Sequence, residues 1–313
     1  MKRATRRRET GPRIVGGWWQ ALARRFARGK LFFGHGTHNA RDEAAWLLCY
    51  VLRIPFDELG QALERQISAA AARRLEHLAG RRIATREPLA YLLGEAWLAD
   101  HRFYVDRRVI VPRSHIAELL PRGLAPWVPQ GAVKRALDLC TGSGCLAILA
   151  ALAFPKARID ASDASAAALA VARRNVKAYD LERRVRLVKS DLFAALTGRY
   201  DLILCNPPYV PEIEMRRLPA EYRAEPRVAL AGGRDGLSFV RRLLAEAGNH
   251  LAPEGVLVVE IGANRNTAEK AFPRLPFTWL ATSAGAALVL LLRRDDLVTQ
   301  RSSGLRASDR SKV

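Results

Sequence analysis

The stretch ALDLCTGSGCLAI, residues 136–148, joins a short apolar run ending at Asp138-Leu139 to a second apolar run through a turn that carries Gly142 and Gly144. This is the pattern of a buried β-strand, a tight turn and a helix. A glycine in such a turn lets the backbone approach a ligand where a β-carbon would intrude. In a Rossmann-like sheet the first strand-to-helix turn lies at the crevice where nucleotides bind. The spacing departs from G-x-G-x-x-G, so a pyrophosphate ligand is not favoured. Downstream, β-rich runs alternate with helical ones, the mark of an α/β sheet. Strands are expected near 134–139, 157–162, 184–189, 200–205, 256–261, 277–283 and 286–292. A Ser-Ala-Gly turn alone separates the last two, so the final strand should run antiparallel to its neighbours. The predicted fold is a Rossmann-like α/β domain with a seven-stranded sheet, preceded by a small helical domain.

The ends of successive strands carry the polar residues. Asp163 follows the second strand, nineteen residues beyond Gly144, where a carboxylate can accept both ribose hydroxyl hydrogens of an adenosine. Taken alone, it serves as well to cap the helix that follows. Asp191, in VKSDLF after the third strand, is placed to reach an adenine amine, with Leu192 as an apolar face. The three features in register point to an adenosyl ligand.

The fourth strand, DLILC, runs into Asn206-Pro207-Pro208-Tyr209. An amide or aromatic amine nitrogen is a poor nucleophile because its lone pair is delocalised. Its hydrogens must be held so that the lone pair faces the carbon it attacks. Asn206 offers a side-chain carbonyl acceptor, and the Pro207 backbone carbonyl a second. Neither proline has an N–H and both have a fixed φ, so the loop is stiff and presents carbonyls. Tyr209 offers a flat face against a planar acceptor. Catalysis by such a site is positioning and electrostatics, with no covalent intermediate.

Upstream, Ala44, Leu47, Leu48, Val51 and Leu52 recur at helical spacing after a cap at Thr37 or Asn39. Further helical patterns run from about Phe56 to Leu63 and from Ser68 to Thr85, with Leu75, Leu78 and Ile83 as a stripe. Residues 97–113, WLADHRFYVDRRVIVPR, alternate apolar and polar residues and predict a hairpin turning at Asp106-Arg107. The expected organisation is a flexible basic arm at 1–30, a helical substrate-recognition domain at 31–96, a hairpin linker at 97–112, the ligand-binding domain at 113–293 and a disordered tail at 294–313. Residues Trp18 to Ala27 of the arm could form a helical turn or two. Ten basic residues against one acid give this arm +9 of the formal net charge of +20, which suits an RNA-rich neighbourhood or a simple solvated extension. The four cysteines lack C-x-x-C spacing, and His35 and His38 have no second ligand pair, so no metal site is expected. There is no secretory signal pattern and no apolar run of about 18 residues. The expected location is the cytoplasm.

DLCTGSG, Asp163, Asp191 and NPPY together resemble a class I S-adenosylmethionine-dependent methyltransferase acting on planar amide or amine nitrogens. More narrowly, the chain is similar to the bacterial ribosomal protein L-three glutamine methyltransferases, relatives of the release-factor glutamine methyltransferases. The blocks that carry this are GHGTHNARDEA, FYVDRRVIVPRS, NPPYVPEIEMRRLPAEYRAEP with LAGGRDGL behind it, and VEIGANR. VPRSHIAE stands where the release-factor branch reads closer to IPRPDTE. By position, the resemblance implies a cofactor loop of Cys140, Thr141, Gly142, Ser143 and Gly144. It implies a ribose acid at Asp163, adenine-side residues at Asp191 and Leu192, and a catalytic substrate clamp at Asn206, Pro207, Pro208 and Tyr209. Cys140 stands where many methyltransferases carry glycine. The implied cofactor is S-adenosylmethionine and the implied partner a ribosomal protein, with RNA contact through the arm. The competing readings are methylation of an exocyclic base amine, methylation of a release-factor glutamine, and a binding protein that keeps an inactive methyltransferase fold.

Overall fold

The computed structural model describes residues 12–129 and 131–302. Its contacts divide into two units, one holding the chain up to Gly94 together with Pro219–Ala224, the other holding Glu95–Leu218 and the chain from Glu225 onward.

The first unit is helical. It contains α1 (Val15–Arg28), α2 (Ala40–Leu52), α3 (Ala69–Thr85) and α4 (Leu89–Leu93). Asn39 caps α2 by accepting from the Arg41 and Asp42 amides at 2.9 Å each, and Ser68 caps α3 from the Ala71 amide. The expected helix from Phe56 is one 3₁₀ turn, Phe56–Glu58. The expected flexible arm is corrected over Val15–Arg28, because α1 is a four-turn helix there. Val15, Trp18, Leu22 and Phe26 recur on one face and are buried. Each such side chain contributes roughly 1.5–3 kcal/mol by leaving water, more than enough to hold a basic helix whose charges lie on the other face. Arg25 of that face pairs with Glu76 at 2.6 Å. Residues 1–11, which carry the rest of the arm, lie outside the described residues.

The second unit is built on a seven-stranded sheet. Its strands are β3 (Arg135–Leu139), β4 (Arg158–Asp163), β5 (Val185–Lys189), β6 (Tyr200–Cys205), β7 (Leu251–Glu260), β8 (Thr278–Thr282) and β9 (Gly285–Arg293), in the order β5-β4-β3-β6-β7-β9-β8. Pairing is parallel from β5 to β7, and β9 is antiparallel to both β7 and β8. The strands are apolar for most of their length because both faces are covered. One face packs against α5 (Cys145–Ala153), and the other against α8 (Ser238–His250). The order reverses at β3, so the crevice lies beyond the carboxyl ends of β3 and β6. The register sets Leu139 beside Cys205 and so brings the two following loops together. Helices α6 (Ala166–Ala178), α7 (Glu212–Met215) and α9 (Arg265–Ala271) complete the connections.

Two further expectations are corrected. A hairpin does open this unit, but it pairs β1 (Ala96–Leu98) with β2 (His101–Phe103). It turns at Ala99-Asp100, both at positive φ, as a two-residue hairpin turn requires. Residues 104–112 are not a strand. Val105, Val109 and Val111 alternate because all three are buried, while Asp106 closes a local turn by accepting from the Arg108 amide. At the other end, residues 294–302 form α10 (Arg294–Ser302) instead of a disordered tail. Leu297 is buried on the face of the sheet that α8 covers, and Gly248 of α8 allows a close approach there. Residues 303–313, the rest of the expected tail, lie outside the described residues.

Candidate active site

The loop after β3 is organised by a residue that the sequence reading used only as a strand end. Asp138 is buried, and its Oδ2 accepts from the Thr141 hydroxyl at 2.6 Å and from the Ala147 amide at 3.0 Å. Its Oδ1 has no hydrogen-bond partner among the described residues. Burial pushes the Asp138 carboxyl up to about 7, against the two donors that pull it down; the charge of Asp163 adds to the rise. A buried acidic oxygen without a partner calls for a donor, and the α-ammonium of an amino-acid-bearing ligand would be one.

Thr141 also donates its amide to the Ser162 carbonyl of β4. Gly142 has φ +54 and no atom closer than 4.0 Å to where a β-carbon would stand, so its open side is free for a ligand. Gly144 is glycine for a different reason. Its φ is +81, and a β-carbon would lie 3.1 Å from Cβ of Ala172 on α6, so it serves helix packing. Cys140 adopts φ +58, a left-handed conformation that non-glycine residues seldom take. The Ser143 carbonyl is held by the buried Asn175 amide at 2.8 Å. Asn175 was not singled out from the sequence, where it reads as one more residue of a helix.

Asp163 accepts from the Gly142 amide through Oδ2 (3.0 Å) and from the Ser165 amide through Oδ1 (2.8 Å). The helix cap of α6 is Ser165 and not Asp163. Each carboxylate oxygen keeps a further lone pair for ribose hydroxyls. Asp191 is exposed and pairs with Arg242 at 2.8 Å, while Leu192 is buried at φ +48. Leu192 is a buried apolar side chain, and the Asp191 carboxylate is engaged by an arginine.

At the end of β6, Asn206 is half-buried and its side-chain amide makes no hydrogen bond among the described residues. Pro207 is buried, while Pro208 and Tyr209 are half-buried. Tyr209 is tied at both ends. Its carbonyl accepts from the Asn264 amide at 2.8 Å, and its hydroxyl lies 3.3 Å from Glu260 Oε1. Just beyond, Val210 forms a bridge to Ala231, with Val210 N to Leu230 O at 2.9 Å and Gly232 N to Val210 O at 2.8 Å. Residues 211–230 therefore leave and return at one point beside the clamp. Of these, Pro219–Ala224 belong to the helical unit, where the buried Glu221 accepts from the Phe32 amide and meets Arg82 and Arg86. Glu225, back in the second unit, forms a two-pronged pair with Arg113 at 2.6 and 2.7 Å.

An open α/β sheet in this strand order, with a glycine-bearing turn and an acid at the ends of its first two strands, has the architecture of the class I methyltransferases. The sequence pattern described as the methyltransferase small domain matches residues 121–219, and the PrmC N-terminal domain pattern matches residues 18–94. The ribosomal protein uL3 glutamine methyltransferase of Bordetella pertussis is 54% identical over 272 residues, covering 86% of this chain and 91% of that protein. Those of Neisseria meningitidis (50% over 275 residues, 88% and 91%) and Bradyrhizobium diazoefficiens (47% over 281 residues, 87% and 88%) carry the same name. The chain belongs to the ribosomal protein uL3 glutamine methyltransferase family. No helix among the described residues is long and apolar enough to cross a membrane.

Proposed function

We propose that this protein transfers a methyl group from S-adenosylmethionine to the side-chain amide nitrogen of a glutamine in a large-subunit ribosomal protein. The observation that carries the reading is Asn206. Its amide stands uncommitted at the end of β6, next to the loop that Asp138 organises.

The residues present fit the cofactor. The open Oδ1 of Asp138 suits the ammonium, the bare Gly142 suits close approach, Asp163 suits the ribose, and Leu192 suits the adenine face. When bound, the cofactor supplies a sulfonium-activated methyl group. The rest is the work of the chain. Asn206 Oδ1 and the Pro207 carbonyl accept the two amide hydrogens, which turns the nitrogen lone pair toward the methyl carbon. Pro207 and Pro208 keep those acceptors from rotating away. Tyr209 covers one face of the planar amide. The helical unit, which contains Pro219–Ala224 from the loop beyond the clamp, reads the surrounding substrate. On this reading the enzyme works in the cytoplasm. Residues 1–11, with five basic residues and one acid, favour a substrate already in contact with RNA.

The test is label transfer from methyl-tritiated cofactor to ribosomal proteins, a release factor and total RNA, followed by mass spectrometry of the labelled product. The expected label is one N-methylglutamine in a large-subunit protein. Label in RNA or in the release factor instead would replace the substrate assignment.

A further inference from the structure

The VEIGANR and LAGGRDGL blocks converge on one residue of the clamp, the first on its ring and the second on its backbone. Tyr209 is caged by them. A β-carbon on Gly262 would lie 2.6 Å from ring carbon Cε2 and 2.7 Å from Cδ2. One on Gly236 would lie 2.5 Å from the Tyr209 carbonyl oxygen, and one on Gly232 would lie 2.7 Å from its Cα. Three glycines thus let backbone close on three sides of one tyrosine. No side chain could fill those positions without moving it.

The polar end of the cage is Glu260, at the end of β7 and only 1% exposed. Its Oε2 accepts from the Ser114 hydroxyl at 2.7 Å and from the His115 amide at 2.8 Å, and its Oε1 faces the Tyr209 hydroxyl at 3.3 Å. Asn264, four residues on, donates to both the Tyr209 and Ile261 carbonyls. A carboxylate is costly to bury unless donors satisfy it. Here it gathers three donors from two separate segments, and one of those donors belongs to the clamp.

We infer that Glu260 is a positioning residue for methyl transfer: carried by β7, its carboxylate is fixed by Ser114 and His115, and through the Tyr209 hydroxyl it fixes the ring plane against which the acceptor amide lies. Asn264 does the same for the Tyr209 backbone. This deepens the glutamine reading and rests on it for the acceptor, but the fixing of the ring stands apart from which acceptor is used. Alignment of a near-attack geometry is sensitive to small displacements, so a loosened ring should lower turnover on the order of a hundredfold. It should leave cofactor affinity within about twofold, because the donors to Glu260 are Ser114, His115 and Tyr209 and none lies in the loop at 140–144.

The experiment pairs kinetics with a readout that needs no substrate. Full-length protein is made with 3-fluorotyrosine, and the Tyr209 fluorine signal is assigned with Tyr209→Phe. In the wild type the caged ring should flip slowly and give separate signals for its two orientations. In Glu260→Ala they should merge, and Glu260→Gln, which keeps an acceptor, should restore the separation in part. On a glutamine peptide, kcat should fall in Glu260→Ala with the S-adenosylhomocysteine dissociation constant nearly unchanged. The double variant Tyr209→Phe/Glu260→Ala should be no slower than the slower single variant. Fluorine signals that do not respond to Glu260→Ala in a folded protein, or losses that multiply in the double variant, would overturn the inference. A ring held as described in a protein that methylates no glutamine would refute the substrate reading alone.

Discussion

Replacing Glu221 by alanine removes a carboxylate from the interior of the helical unit, and the structure fixes what is left behind. Arg82 is fully buried. Its Nε donates to Glu43 at 2.7 Å, its Nη1 to Glu221 at 3.3 Å and its Nη2 to the Phe32 carbonyl at 3.0 Å. Arg86 also meets Glu221, at 3.0 Å. Two guanidiniums are balanced by Glu43 and Glu221. Without Glu221 the cluster carries an uncompensated positive charge, and the Phe32 amide loses its acceptor. Breaking a buried pair in this way costs about 3–5 kcal/mol. Glu221→Gln keeps an acceptor for the Phe32 amide and should cost less, about 1.5–3 kcal/mol. The assay is hydrogen exchange of the α3 amides, with the β3 and β6 amides as internal controls in the other unit. A loss of about 4 kcal/mol raises the opening equilibrium of α3 by roughly a thousandfold. Exchange of α3 within tenfold of wild type in Glu221→Ala would refute the claim that this segment is held by its buried charge.

Two predictions concern the cofactor loop. Asp163→Ala should weaken S-adenosylhomocysteine binding by roughly 1.5–3 kcal/mol, because it removes a charged acceptor and also releases the Gly142 amide; an unchanged calorimetric dissociation constant would leave Asp163 a purely structural link between β4 and the loop. Asp138 should make the cofactor-free protein pH-dependent: its folded carboxyl is raised to about 7 and an unfolded aspartate titrates near ~3.9, so its stabilising contribution is full in acid and is lost as pH rises through about 7. Thermal melts of the wild type and Asp138→Asn from pH 5 to 8 should therefore diverge, with the wild type losing ground as pH rises; parallel profiles would contradict this.

The α/β sheet was legible because its strands are short apolar runs, each bounded by turn residues, and the antiparallel last strand followed from the Ser283-Ala284-Gly285 turn. Helices α2 and α3 were legible from their caps and stripes. What misled was charge. In α1 the basic residues concealed Val15, Trp18, Leu22 and Phe26, whose three- and four-residue spacing is a helical face. The same polarity concealed the buried Leu297 that seats α10. The hairpin turn was misplaced because Ala99 carries no turn signature, while Asp106 does. At the candidate site, loop and clamp could be read from strand ends, since each motif is contiguous. Asn175, Glu221 and Glu260 could not be read that way, because their partners are distant in sequence. Periodicity cannot announce a buried carboxylate whose donors are more than a hundred residues away, as Ser114 is from Glu260. The one signal available was a charged residue inside an apolar strand, VLVVEIG, which a buried strand does not carry without a partner.

The central claim is that Asn206 holds the acceptor amide. Its most direct test is single-turnover methylation of a glutamine peptide by Asn206→Ala, with S-adenosylhomocysteine affinity measured on the same preparation. Loss of one acceptor that acts on the reacting nitrogen predicts a fall in rate on the order of a hundredfold or more, with cofactor affinity close to wild type. An Asn206→Ala enzyme that methylates the peptide at the wild-type rate would contradict the account.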